Sequence, residues 1–453
     1  MDVLTNSQLK HSPGKHKSKL AEQRAFRKRL DKAFPLEIKN VPISRRAGLA
    51  AFGGEPVIEK GQIVPWPAAC KKHAELLASV VSSGKYHRVN HPIVTKLEQR
   101  LAAWSNWWDV RAVGSGTSAV HIGLDYFRNR GPKVVTAALN WPGAVGPIGF
   151  SNMTPEFVDV DLSNAAINQE AAANRVTNDV GVVLITHLFG NFVDAEKLRE
   201  VSRKNGAAIV DDVAQSIAAI KVGDGQHPLN SDVLALSGNG AKHLGAGELG
   251  FVLSRDPDLI EHVDRVSLTS SSRNGERVFS PNTSGYNYRP NVFSSAIASS
   301  RVKKLDQQLK HRRKNCFSFW SKAKHCEGLL PIFNPDDMRN SFLNLPLRID
   351  TEVLDLPANP IVRDYIVNLL RAEGVPVLVW LTKPVFDYLP KWQGKWSATD
   401  FPNTQLLLDT MFYLSEIAPP NNKALMQQYA NAFEKVWAAL PSLKQEIRRS
   451  VFQ

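Results

Sequence analysis

The sequence predicts an α/β fold: a large domain with a mainly parallel sheet, followed by a smaller C-terminal α+β domain. Three observations lead there. Helical and strand-like periods alternate from about residue 68 to residue 254. The strand-like runs are apolar throughout, as strands covered on both faces must be. After Pro290 the alternation gives way to a long helix and a few separated strands.

Taken in order, "KKHAELLASVVSSG" reads as an amphipathic helix closed by Gly84, and "PIVTKLEQRLAAWSN" repeats the helical period. "DVRAVGSGTSAVHIGLDYFRNRG" is a short strand, a Gly-Ser-Gly-Thr turn and a helix. "PKVVTAAL", "PEFVDVD" and "DVGVVLITHL" read as strands, "DAEKLREVSRKNG" as a helix with its terminal glycine, and "AAIVDDVAQS" as another buried strand. "DVLALS" and "GFVLS" are strands separated by a glycine-rich loop. Beyond Pro290, residues 294–326 read as one long helix with a basic outer face. Then come the strand "SFLNLPLRID", the helix "PIVRDYIVNLLRAEG", the strand "VPVLVWL" and the helix "ALMQQYANAFEKVWAALP". The expected organisation is a basic extension over residues 1–47, a large domain over 48–290 and a smaller one over 291–453.

The chain has 453 residues, 43% hydrophobic and 22% charged, enough for a sizeable core. No apolar run reaches the ~18 residues of a membrane helix, so no membrane association is expected. Cys70, Cys316 and Cys326 have neither metal-ligand nor disulfide-framework spacing, which favours a reducing cytoplasm. Arg45-Arg46 before "AGLAAFGGEP" does not make an export signal, because the apolar part is too short and too far from the start. The formal charge is +13, and residues 1–47 hold twelve Lys or Arg against four Asp or Glu. With almost no interleaved aromatics, that arm reads as a solvated extension rather than a nucleic-acid arm. His87 and His91 are four apart but lack a third ligand, so no metal site is expected.

The chemistry-bearing residues lie at strand ends, where open α/β sheets bind ligands. "GSGTSA", Gly114 to Ala119, opens a helix after a strand, and its backbone N–H groups with the Thr117 and Ser118 hydroxyls suit a phosphate. Trp141 follows a strand and precedes Pro142, read as a helix breaker; its ring is either core or a stacking surface for a planar ligand. "VDDVAQS" ends a buried strand on two carboxylates, of which alternation lets only one face the ligand. Aimed at a heteroaromatic nitrogen, that carboxylate keeps the nitrogen protonated. Lys242 stands in "SGNGAKHLGAGELG", where the glycines let backbone and a bound group approach closely. A lysine in a tight loop, a phosphate turn, an aromatic ring and a strand-end carboxylate together describe a pyridoxal 5′-phosphate site.

Over roughly residues 50–440 the chain resembles the DegT-type (StrS-like) sugar aminotransferases, of the aspartate-aminotransferase-like fold, or PLP-dependent transferase fold type I. The resemblance rests on six stretches in order: "GGEPV", "VGSGTSAVHIGLDY", "THLFGNFVDAEKL", "IVDDVAQS", "SGNGAKHLGAGELG" and "SGYNYRPNVFSSAIASSRVKKLD". It implies that Lys242 carries the cofactor and moves the proton, that Asp212 pairs with the pyridine nitrogen, and that Gln215 lies near the ring hydroxyl. It further implies that Trp141 stacks on the ring, that Gly116, Thr117 and Ser237 bind the phosphate, and that Asn287 reaches the phosphate from a neighbouring subunit. A homodimer with shared active sites follows. The implied reaction moves an amino group from glutamate or glutamine to a keto-sugar, usually nucleotide-linked, or to a ketone cyclitol.

Relatives that deoxygenate sugars replace the lysine by histidine; the flanking "LALS" and "GAGELG" place Lys242, not His243, at that position. A deoxygenating dehydratase is the nearer alternative and an inactive regulatory protein of this fold the remoter one, which would be expected to have lost Lys242 or Asp212. Gly238, Leu249 and "LVWLTKPVF" depart from the family's usual residues on the substrate side. Tyr86 and Arg88 in "GKYHRVNHP" are candidate substrate contacts, and His187 in "THLFG" is a candidate either for the site or for a buried supporting role.

Overall fold

Seven strands form the larger sheet: β1 (Asp109–Val113), β2 (Lys133–Ala137), β3 (Thr154–Val158), β4 (Val180–Thr186), β5 (Ala208–Asp212), β6 (Val233–Ser237) and β7 (Gly250–Ser254). Their order is β1-β7-β6-β5-β4-β2-β3. All neighbours pair in parallel except β7, which runs antiparallel to β1 and β6. The computed structural model describes residues 48–88, 91–106, 109–221, 229–268, 270–273, 276–279 and 285–451. The basic extension read at residues 1–47 lies outside them, as do Asn90, Trp107 and Trp108.

The apolar runs are continuous because both sheet faces are covered. In β4, Val182 and Leu184 join one core cluster, with Val120, Ile122 and Leu124 of the helix Gly116–Phe127. Val183 and Ile185 join another, with Leu198 of the helix Glu196–Lys204. All seven β4 residues are buried. Strand alternation thus loads two hydrophobic layers from one seven-residue segment.

A second sheet, all antiparallel, uses β10 (Leu329–Pro331), β11 (Leu345–Ile349), β12 (Val377–Leu378) and β13 (Met411–Leu414) in the order β10-β11-β13-β12; in chain order a separate antiparallel pair, β8 (Ser270–Arg273) with β9 (Glu276–Phe279), comes between them. The smaller sheet shares a core with the helices Leu305–Ala323, Pro360–Ala372 and Lys423–Val451. Leu49 and Ile58 pack into this core, not under the larger sheet as their position in the chain suggested. The buried Glu373 carboxylate accounts for that: it accepts from Ala50 N at 2.8 Å and Val57 N at 3.2 Å and pairs with Lys435 at 2.8 Å.

Three sequence expectations are corrected. Residues 294–326 form two helices, Val292–Val302 and Leu305–Ala323, because Lys304 leaves helical backbone at φ −115°, ψ 11°. Pro142 does not break a helix but begins one, Pro142–Phe150, where its missing N–H has no partner to lose. Pro441 does not end the last helix: Leu440, Leu443 and Ile447 continue the buried stripe, and the helix runs to Val451. Among the described residues no helix is long and apolar enough to cross a membrane.

Candidate active site

The ends of β1, β2, β4, β5 and β6 open on a cavity of about 340 Å³. Lys242, Asp212, Thr117, Ser237, Trp141 and Gln215 all line it.

At its floor Asp212 ends β5, buried, with Oδ1 accepting from Ala214 N at 2.9 Å. Burial pushes this carboxyl above its ordinary value, against the opposing pull of the Ala214 N–H and the Lys242 amine. Burial likewise lowers the Lys242 amine, only partly offset by Asp212. The desolvated amine therefore loses its proton more readily than an exposed lysine, as a nucleophile must. Its loop is held from behind: the Trp66 indole N–H donates to the Lys242 carbonyl at 2.8 Å, and Lys242 N to the Asn239 carbonyl at 2.9 Å.

One wall is the turn from β1 into the helix Gly116–Phe127. Ser115 caps that helix, accepting from Ser118 N at 3.1 Å, with the two hydroxyl oxygens 2.9 Å apart. Ser115, Gly116 and Thr117 therefore face the cavity, while Ser118 is buried in the cap and does not line it. A Cβ on Gly116 would stand 3.0 Å from the Ser237 Cβ, so glycine lets the helix start against the end of β6. These N–H donors and hydroxyls form a concave group of the chemistry that suits an anion.

Trp141 lines the cavity and is 48% exposed, so its ring face is available to a planar ligand. Trp380, after β12, stacks on it with centroids 5.9 Å apart and planes 11° apart. Phe189 meets Trp380 edge-on at 5.2 Å and adopts φ +59°, a strained backbone for a non-glycine residue. Gln215 holds that strain: its Oε1 accepts from Phe189 N at 2.8 Å. Thr186 Oγ1, also on the wall, is buried without a hydrogen-bond partner among the described residues.

The remaining sequence candidates lie elsewhere. His187 is fully buried and off the cavity: Nδ1 accepts from Val193 N at 3.1 Å, so Nε2–H donates to Asp211 at 2.8 Å. Arg88 is buried in an ion pair with Glu98 at 3.0 Å, and the same carboxylate accepts from Ala112 N, which fixes Arg88 as a brace for β1. Tyr86 is exposed, donates to the Val81 carbonyl at 2.8 Å and packs on Phe293 at 5.4 Å. Asn287 is exposed at φ +57° and does not line the cavity, although the next residue's carbonyl accepts from Gly114 N at 2.8 Å, beside the cradle. Sequence reading missed Ser115, Phe189, Asn239, Glu248, Trp380 and Tyr413, all on the cavity wall. Asn239 and Glu248 bond to each other at 2.8 Å within the lysine loop. Ser115, Phe189, Asn239 and Glu248 lie inside the motifs quoted above and Trp380 inside the departure at "LVWLTKPVF", whereas nothing in the sequence marked Tyr413.

An amine beside a buried carboxylate, a concave group suited to an anion and a flat ring, gathered at the ends of the strands, are the parts of a pyridoxal-phosphate enzyme. The family model of the DegT/DnrJ/EryC1/StrS aminotransferases matches residues 68–425, and the chain belongs to that family. It is a PLP-dependent aminotransferase. Among proteins it is similar to, a putative L-glutamine:3-amino-2,3-dideoxy-scyllo-inosose aminotransferase of Streptomyces kanamyceticus is 24% identical over 86% of this chain and 91% of that one. Protein MosB of Rhizobium meliloti is 31% identical, but over 45% of this chain and 40% of that one. The putative sugar aminotransferase Spr1654 from Streptococcus pneumoniae, solved in its PMP form, superposes with a TM-score of 0.74 at 17% identity over 84% of this chain and all of that one.

The residues fit the cofactor on the structure's own terms. The Gly116–Ser237 approach leaves a cradle that a side chain would fill, and Thr186 Oγ1 is a buried hydroxyl in need of a partner.

Proposed function

We propose that the enzyme transfers an amino group from glutamine or glutamate to the carbonyl of a polyhydroxylated ring, a keto-sugar or a ketone cyclitol. The observation that carries this reading is the Lys242 amine, desolvated beside the buried Asp212 carboxylate in one cavity with the anion cradle. In this reading Ser115, Gly116, Thr117 and Ser237 hold the cofactor phosphate, Trp141 lies against its ring, and Asp212 keeps its nitrogen protonated. When bound, pyridoxal phosphate supplies an electron sink for the charge left on a deprotonated carbon. The Lys242 amine would take the proton from the donor's Cα in the first half-reaction and, in the second, deliver a proton to one face of the acceptor's former carbonyl carbon, so the product is one stereoisomer. Gln215 fixes the Phe189 backbone and thereby the aromatic wall.

Trp380, just after β12, and Tyr413, in β13, line the cavity from the side of the smaller sheet. An aromatic wall facing hydroxyl and amide groups suits a ring that is polar at its edge and apolar on its C–H face. The similarity to relatives named for inosose and sugar amination supports this acceptor class. A homodimer with Asn287 contributed across the interface, and a cytoplasmic location, belong to the same proposal. Deoxygenation is disfavoured because Lys242 occupies the position where histidine would be expected.

Absorption spectroscopy tests the reading. The cofactor-loaded protein should show a visible band that L-glutamine or L-glutamate bleaches, and Lys242→Ala should show neither band nor bleaching. A wild type that takes up no pyridoxal phosphate, or a band that neither donor bleaches, would overturn it.

A further inference from the structure

A second cavity, of about 310 Å³, lies behind the lysine loop and has no part in the chemistry above. Its basic lining residues are Lys72, His73, Arg301, Lys304 and His311, and no carboxylate lines it among the described residues. Solvated surface patches usually mix signs, and their cations point into water. Here the central cation does not: Arg301 Nε and Nη1 are buried and have no hydrogen-bond acceptor among the described residues. The guanidinium carbon sits 4.7 Å over the Trp66 ring, which stabilises the charge but accepts none of its N–H groups. Two N–H groups closed off without acceptors leave the charge uncompensated inside the protein, so compensation has to come from the cavity side. Burial and the neighbouring Arg301, Lys304 and Lys72 push the His73 imidazole below its ordinary value, a further sign of uncompensated positive potential. An adjoining hollow of about 350 Å³ shares Lys72 and Lys304 and adds Lys96, Arg100 and Lys303, again without a carboxylate.

We propose that this cavity binds a phosphate group, held by Lys72, Lys304 and the outer edge of the Arg301 guanidinium, and that its occupancy is felt by the loop that carries Lys242. Three contacts join the cavity to the loop. The Trp66 indole bridges from the Arg301 guanidinium to the Lys242 carbonyl. Gln308, also on the cavity wall, donates to the His243 carbonyl at 3.0 Å. Gly245 passes so close to Arg301 that a Cβ there would stand 2.6 Å from Nη1. An anion that fixes Arg301 therefore also fixes the seat of the lysine loop.

Titration calorimetry with inorganic phosphate, at constant ionic strength set with chloride, tests the site on the cofactor-loaded protein. Wild type should bind one phosphate per chain saturably. Arg301→Gln should weaken binding by roughly tenfold or more, and Arg301→Lys by less. Lys304→Gln, at an exposed position that does not threaten folding, should weaken it about 3- to 10-fold. Ser237→Ala should leave it unchanged, which separates this site from the cofactor cradle. Glucose 6-phosphate in a parallel titration distinguishes a free phosphate from a phosphomonoester as the natural source. Amide hydrogen exchange over residues 239–246 should slow with phosphate in wild type and not in Arg301→Gln. Absence of saturable binding, equal affinity in Arg301→Gln and Lys304→Gln, or loss of binding in Ser237→Ala alone would overturn the site. Phosphate binding without slower exchange would overturn the coupling. None of these outcomes depends on which donor or acceptor the enzyme uses.

Discussion

Asp211 and Asp212 are neighbours of identical chemistry with opposite surroundings. Alternation along β5 turns Asp212 into the cavity and Asp211 away from it, where Arg199 grips both oxygens at 2.6 and 2.8 Å and His187 and Ser231 complete the shell. Burial alone would raise the Asp211 carboxyl, but the Arg199 guanidinium and the hydrogen bonds hold it well below the usual carboxylate range. Asp211→Asn strands a buried guanidinium, and a loss of about 3–5 kcal/mol in urea denaturation at pH 7 is expected. Because the folded-state value is depressed, this stabilisation is complete above the ordinary carboxylate value of 3.8 and disappears only as pH falls below it. The wild-type advantage over Asp211→Asn should therefore persist to about pH 4 and vanish in stronger acid. An advantage already lost at pH 6 would show that the pair is not the source. Lys242 is also shifted downward, but by burial and toward the neutral form: cofactor capture, followed as growth of the visible band, should rise with pH around a midpoint below 10.5. Asp212→Asn removes the one group that raises the amine, so its midpoint should lie lower still. A midpoint at or above 10.5 would contradict the desolvated amine.

Between β6 and β7, two departures from the family text prove to be one packing solution. Gly238 N donates to the Leu249 carbonyl at 2.8 Å, and a Cβ at position 238 would meet Leu249 Cβ at 3.0 Å and Cδ2 at 3.2 Å. The Leu249 side chain thus crowds the space that a side chain at 238 would use. Gly238→Phe should cost about 1–3 kcal/mol from overpacking, and Leu249→Gly in the same chain should restore most of the loss. Additive costs in thermal denaturation would show the two positions to be independent. At the other side of the cavity, Trp380→Ala should raise the acceptor KM roughly 3- to 10-fold and leave donor bleaching of the cofactor band at its wild-type rate. An equal loss in both half-reactions would place Trp380 against the cofactor instead of the acceptor.

The unit that begins at Leu49 ties its own first residues to its last third. Glu373 anchors Ala50 and Val57, Asn421 anchors Val64 through both its amide groups, and Glu416 anchors Trp66 N. Trp66 then reaches the lysine loop. A chain lacking residues 1–47 should keep the cofactor band and its melting temperature, whereas one lacking residues 1–66 should lose the band. Retention of the band in the shorter chain would mean that the Lys242 loop needs no support from Trp66. The same chain without residues 1–47 measures any contribution of the basic arm to nucleic-acid binding, by comparison with the full chain.

By itself the sequence determined the strand-and-helix alternation and the strand ends that carry the chemistry. Apolar runs report burial on two faces, and glycine with a lone lysine reports close approach; both are local patterns. Lys242, Thr117 and Trp141 were legible for that reason, whereas the choice of Asp212 over Asp211, and Ser237, came only with the family resemblance. Tertiary structure alone decided that Ser115, and not Ser118, faces the cavity, because a cap forms only when the helix start is fixed against β6. It alone decided that Arg88 and His187 are braces, because Glu98 and Asp211 come to them from 10 and 24 residues away. It alone brought Trp380 to Trp141, two rings 239 positions apart. And it gathered Lys72, Arg301 and Lys304 around a cavity with no counter-charge among its described lining residues. Pairings across such distances depend on how complete elements pack, which no short-range pattern records.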